Sequence, residues 1–181
     1  MDPVTPRTQA ERSRRTQEAL VRAARELFAV NGFAATATEE IVERAGVTRG
    51  ALYHQFHDKR HLFLAVLEAV QAELSARLLA ATEASPTPLE KLRAGFQEYL
   101  EACTEPEVAR ILLTEGRAVL GWDEWRRIET AHGFAMVAAL LQAAVQAGQL
   151  APAPVEPLAH LLLGAANEAA FLVAAAEDPA A

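Results

Sequence analysis

Apolar positions recur at helical spacing through almost the whole chain. From Arg14 to Val30, the residues Ala19, Leu20, Ala23, Ala24, Leu27 and Phe28 fall at i, i+3 and i+4, which predicts an amphipathic helix. Asn31-Gly32 ends it, because both residues tolerate the left-handed conformation, and Phe33 packs back under its end. Ile41, Val42 and Ala45 mark the buried side of a short second helix, and Leu52 and Phe56 that of a third. Between these two, Ala45-Gly46-Val47 reads as a tight turn: Gly46 supplies the positive φ and Val47 plugs the corner. Thr48 is the N-cap of the third helix, with Arg49 and Gly50 in its first turn. Two short helices hinged in this way form a helix-turn-helix, whose second helix enters the major groove of DNA.

The remaining pattern is longer in period. Asp58 caps a fourth helix whose stripe is Leu62, Phe63, Val66, Ala69, Val70, Leu74 and Leu78, running unbroken to about Ala81. At 1.5 Å per residue it spans roughly 35 Å, a rigid rod joined to the helix-turn-helix without a flexible linker. Ser85-Pro86-Thr87-Pro88 is the first break, and a fifth helix follows from Leu89 to about Cys103. Pro106 opens a sixth, with Val108, Ile111, Leu112 and Leu113 apolar, and Gly116 and Gly121 predict a loop or irregular turn over 115–121.

The last two helices are apolar nearly all round. No Asp, Glu, Lys or Arg occurs from Ala131 to Val155, a run long enough to span a membrane. Gln142, Gln146 and Gln149 at i, i+4 and i+7 nevertheless form a polar stripe suited to a water-facing helix. Pro152, Pro154 and Pro157 make the turn, and Leu158–Ala176 returns as a second apolar helix. Two such helices need cover on several sides, which a second copy supplies by pairing the hairpins into a four-helix bundle.

The motif residues G-V-T-R-G-A-L-Y-x-x-F followed by D-K-R, preceded by N-G-F and a Thr-rich helix start, resemble the tetracycline-repressor (TetR) family of transcriptional regulators. The likeness covers roughly residues 14–64 and joins spacing, glycines, Tyr53, Phe56 and Lys59. Two positions depart from it. Ala37 stands where a hydroxyl residue is frequent, so Thr36 with Glu39 is the alternative capping box, and His54-Gln55 replace an aromatic and a His. The resemblance implies an all-α chain: an N-terminal three-helix helix-turn-helix DNA-binding domain and a helical C-terminal ligand-binding and dimerisation domain. The expected divisions are a disordered basic arm at 1–12, the DNA-binding domain at 13–60 and the effector and dimerisation domain at 61–181.

The formal net charge of −7 argues against nucleic acid until it is resolved along the chain. Residues 1–60 hold ten Arg/Lys against eight Asp/Glu, net +2, and residues 61–181 hold seven against sixteen, net −9. The positive end carries the motif. Arg7, Arg12, Arg14 and Arg15 extend it as a basic arm.

Candidate DNA contacts are Arg14, Thr36, Thr38, Thr48, Arg49, Gly50, Tyr53, His54, Gln55 and Lys59. Arg49 suits guanine O6/N7 bidentately or a phosphate equally, while Thr48 and Lys59 are phosphate anchors. Tyr53, one residue after core Leu52, faces outward, and the resemblance implies a phosphate contact for its hydroxyl. In the C-terminal part, Asn167 and Glu168 interrupt an apolar helix. Burial of such groups is costly unless they are paired, so they either bond across the dimer seam or orient a ligand. Phe96, Tyr99, Arg117, Trp122, Trp125 and His132 are candidate co-liners of an effector site.

Other chemistry is poorly served. His54, His57 and His61 straddle a helix break, and no nearby Cys adds a ligand, so no metal site and no cofactor are expected. Cys103, His132 and Glu168 lie far apart with no phosphate loop or HExxH pattern, so an enzyme is not expected. A helical adaptor binding only protein would make the motif match accidental. A single cysteine forms no internal disulfide, and the N-terminus shows no apolar run, which together point to the cytoplasm. The expected partners are an operator in double-stranded DNA, a second copy of the chain and a small-molecule effector, with no membrane.

Overall fold

The computed structural model describes residues 9–176. Among them all regular structure is helical: α1 (Gln9–Asn31), α2 (Thr38–Ala45), α3 (Arg49–Gln55), α4 (Lys59–Glu83), α5 (Pro88–Ala102), α6 (Pro106–Val108), a π-helical stretch (Ala109–Glu115), α7 (Gly116–Leu120), α8 (Trp122–Gln146) and α9 (Val155–Ala175). Two compact units divide between Glu68 and Ala69, inside α4. The expected boundary at residue 60 lies where α4 begins, because the first turns of α4 carry Leu62, Phe63 and Val66, all buried.

In the first unit, α1, α2 and α3 pack pairwise around Leu20, Ala24, Leu27, Phe28, Ile41 and Leu52. Phe28, Phe33 and Phe63 form a closed aromatic trio with ring centroids 5.5 to 5.6 Å apart, so Phe33 does fold back under the end of α1. α1 begins earlier than expected. Gln9–Ser13 holds no Pro or Gly and places Glu11 in the first turn, where it complements the helix dipole. Arg12 therefore stands on a helix surface with Arg14 and not in a disordered arm, while Arg7 lies outside the described residues.

The helix ends follow their local chemistry. Gly32 and Gly46 take φ values of 82° and 66°, and the Gly46 and Val47 amides donate to the carbonyls of Glu43 and Val42. The Thr48 hydroxyl accepts the Ala51 N–H, and the Asp58 carboxylate accepts the His61 N–H at 2.8 Å. That amide, with the His61 ring, holds the Asp58 carboxyl below its usual range. The start of α2 departs from expectation. The Glu40 carboxylate, not Glu39, reaches back to the Ala37 N–H at 2.9 Å, and Thr36 does not act as the cap.

The second unit is built on mutual packing of α5, α8 and α9. Leu92, Val137, Leu141 and Ala159 form one buried cluster, and Cys103, Leu113 and Ala170 another. Within it the Arg77 guanidinium bridges Glu98 and Glu105, each at 2.8 Å. Gly116 does not break the chain as expected. It is buried and helical, and the irregularity is the π-helical stretch before it. Gly121, with φ 81°, makes the corner into α8.

Candidate nucleic-acid interface and effector cavity

Leu52 seats α3 in the core of the first unit with no exposed surface, and the opposite side of that helix is open. Arg49, Gly50, Tyr53 and His54 are all exposed there. A Cβ added to Gly50 would meet only the Thr48 hydroxyl oxygen at 3.9 Å, so nothing within the chain requires glycine at that place. The Arg49 guanidinium lies 3.0 Å from the Glu39 carboxylate of α2 and 5.7 Å from the Tyr53 ring centroid. Glu39 is held below the usual carboxylate range, first by its backbone amide, then by the Thr38 hydroxyl and more weakly by Arg49. Thr38 thus spends its hydroxyl on Glu39 at 3.1 Å, on the same surface as Arg49. Arg14 is exposed and pairs loosely with Glu18 at 3.7 Å.

Three of the expected DNA contacts are occupied with structure. Thr36 is buried, its hydroxyl donating to the Gly32 carbonyl at 2.8 Å, which ties the loop to the end of α1. The Lys59 ammonium donates to the carbonyls of Phe33 and Thr36 at 2.8 and 2.9 Å and sits 4.3 Å over the Phe33 ring. Lys59 is a clasp on the loop, not a free phosphate anchor, because the turn leaves those two carbonyls without helical partners. Gln55 exchanges hydrogen bonds with Ser13, bracing α3 on α1.

In the second unit, α4, α5, α8 and α9 line a cavity that opens to solvent. Phe96, Tyr99, His132 and Asn167 line it. The Tyr99 hydroxyl donates to Asn167 Oδ1 at 2.7 Å, so the polar break in α9 is satisfied inside the chain, and burial raises the Tyr99 pKa. Cys103 sits under Tyr99, its thiol pushed up to about 12, chiefly by burial.

Arg117, Trp122, Trp125 and Glu168 do not line the cavity. Trp125 is fully buried and its indole N–H donates to the Leu112 carbonyl of the π-helical stretch at 2.7 Å. Arg117 lies 4.8 Å from the Phe171 ring centroid and 5.0 Å from that of Trp122, forming a separate cation–π cluster. Glu168 is exposed on the outer side of α9.

Sequence reasoning missed Gln71 and Glu129. The Gln71 amide donates to the Glu129 carboxylate inside the cavity, and burial pushes that carboxyl up to about 7. Their spacing was the available signal. Gln71 lies between Val70 and Leu74 on the buried side of α4, and Glu129 follows buried Trp125 by one turn of α8.

A capped helix seated by one leucine, following a short helix and a glycine turn, has the form of the second helix of a helix-turn-helix. The match to bacterial regulatory proteins of the tetR family spans residues 20–66, and that to the tetracyclin repressor-like C-terminal domain spans residues 89–181. The chain belongs to the tetR family and is a transcriptional regulator. It is 29% identical over 156 residues to the TetC protein of transposon Tn10 from Escherichia coli, covering 86% of this chain and 79% of TetC. It is 31% identical to the repressor KstR2 of Mycolicibacterium smegmatis, covering 65% of this chain and 55% of KstR2. A solved TetR-family regulator from Pectobacterium atrosepticum superposes with a TM-score of 0.82 at 37% identity, covering 96% of this chain and 89% of that one.

Proposed function

We propose that the chain is a ligand-responsive repressor that binds a pseudo-palindromic operator as a homodimer and is released by a small, largely apolar or aromatic effector. The observation that carries the effector half is the cavity, which is mostly apolar and holds a few convergent polar groups, the usual make-up of a small-molecule site. For DNA, Arg49 reads a base edge or a phosphate, Thr48 and Tyr53 meet phosphates, and exposed Gly50 permits close approach of the backbone.

The homodimer reading rests on α9. Leu161, Ala165, Glu168 and Leu172 fall at i, i+4, i+7 and i+11, and all are exposed, the two leucines at 67% and 66%. By length and composition α8 and α9 could each cross a membrane. The cavity they help to enclose is lined by Lys91, Glu129 and Asn167, which favours a chain that covers its apolar stripe with a second copy.

α4 supplies buried residues to the first unit, Leu62 and Phe63, and cavity residues to the second, Gln71 and Leu74. A ligand alters DNA affinity only by binding the free and DNA-bound shapes unequally, and the effect is reciprocal. A thermal-shift panel followed by gel shift on the selected operator tests the reading. Compounds that raise the melting temperature should weaken the complex. Stabilising compounds that leave it intact would remove the cavity from the switch.

A further inference from the structure

The cavity has an uneven distribution of charge. Its walls include Leu74, Leu78, Phe96, Met136, Val137 and Leu163. Of its cationic or protonatable side chains, Arg126, His132 and His160 belong to exposed residues and Lys91 is half-buried. Among the described residues lining it, Glu129 is the sole carboxylate, and it takes its hydrogen bond from Gln71, itself only 4% exposed. No cation pairs with Glu129 among the described residues, and burial opposes its ionisation with only the Gln71 amide acting against it. A carboxylate facing an apolar space, with one neutral donor, keeps unused acceptor capacity.

We propose that the effector is a lipophilic amine, whose protonated nitrogen donates to the Glu129 carboxylate while its hydrocarbon or aromatic body lies among Leu74, Leu78, Phe96 and Leu163. This assignment rests on the reading of the cavity as the effector site and gives that site its ligand chemistry. A carboxylate ligand such as a fatty acid would bring like charge toward Glu129, and pairing with the exposed Arg126 would gain it little. A neutral alcohol can donate to Glu129 but leaves the charge of this half-buried carboxylate uncompensated. A protonated amine supplies the donor and the opposite charge together.

Three probes with one skeleton separate these cases: phenylbutylamine, phenylbutanol and phenylbutyrate. Binding to the full chain is measured calorimetrically at about pH 8, where the amine is protonated and Glu129 is ionised. The amine should bind about tenfold or more tighter than the alcohol, with the acid weakest. In Glu129→Gln the advantage of the amine should disappear, while alcohol binding, which reports an intact cavity, is retained. Equal or reversed preference in the unmutated chain overturns the proposal, as does an amine preference that survives in Glu129→Gln or the absence of binding by all three. The operator complex gives an independent readout. Amine binding through Glu129 that leaves DNA affinity unchanged would keep the Glu129 site and overturn the effector reading. Operator release by all three probes without amine preference would do the reverse.

Discussion

Arg49, the residue proposed to read a base edge or a phosphate, is held 3.0 Å from Glu39 of the preceding helix. Both side chains are more than half exposed, so solvent screens the pair and it contributes little stability. Its consequence lies in binding: DNA must take Arg49 from Glu39. Arg49→Ala should weaken specific binding by about 1–3 kcal/mol and relax preference at one base position. Glu39→Gln, which removes the competitor and one negative charge near DNA, should tighten binding to all sequences. Fluorescence anisotropy on specific and scrambled duplexes checks both. An unchanged affinity for Arg49→Ala would place base reading elsewhere.

Lys59 gives a prediction opposite to the one its position invites. A phosphate anchor would contribute about 0.9 to the slope of log K against log salt. Because its ammonium is committed to the carbonyls of Phe33 and Thr36, Lys59→Met should cost about 1–3 kcal/mol of stability in the DNA-binding unit. The salt slope should stay as it was. A slope reduced by about one unit with no change in melting temperature would restore the phosphate role.

These two residues show where sequence was legible. Several helix ends were readable because their signals are local: Asn31-Gly32, Gly46, Thr48 and Asp58 each act on backbone groups within a turn. Thr36 and Lys59 were not, because a hydroxyl or an ammonium in a polar stretch serves solvent, DNA or a loop carbonyl equally well. Only the fold decides among them. Phe96, Tyr99, His132 and Asn167 do meet at one cavity, since each lies on a helix with an apolar stripe. Trp125 and Arg117 were drawn away by a π-helical stretch and an aromatic cluster that periodicity does not reveal.

The outer stripe of α9 predicts assembly. Leu161→Glu or Ala165→Glu would place charge on a surface that includes Leu172, and burying an unpaired charge there costs several kcal/mol. Light scattering should report a dimer for the unmutated chain and monomer or aggregate for the variants, with loss of operator binding. A folded monomer of the unmutated chain at micromolar concentration would exclude the dimer.

Glu129 predicts a pH dependence with a definite sign. Its pKa rises from the ordinary carboxyl value of 4.5 to about 7 on folding, so the folded chain binds the proton more tightly than the unfolded one. The stabilisation from protonated Glu129 is complete below about pH 4.5 and is lost as pH rises through about 7. Glu129→Gln should therefore gain stability relative to the unmutated chain between pH 5 and pH 8, by an amount on the order of 2–3 kcal/mol. Lys91, Arg126, His132 and His160 also line the cavity, so the two proteins are compared with each other at each pH. Denaturation curves that stay parallel across this range would contradict buried ionisation at Glu129.

Selection of bound duplexes from random DNA by the full chain tests the central claim most directly. The account predicts enrichment of an inverted repeat whose half-sites are related by the twofold axis of the dimer, with binding that weakens steeply as salt rises. The Arg49→Ala protein should recover the same spacing with one base position relaxed. No enriched motif, or a single unrepeated site bound equally at all salt concentrations, would contradict the account.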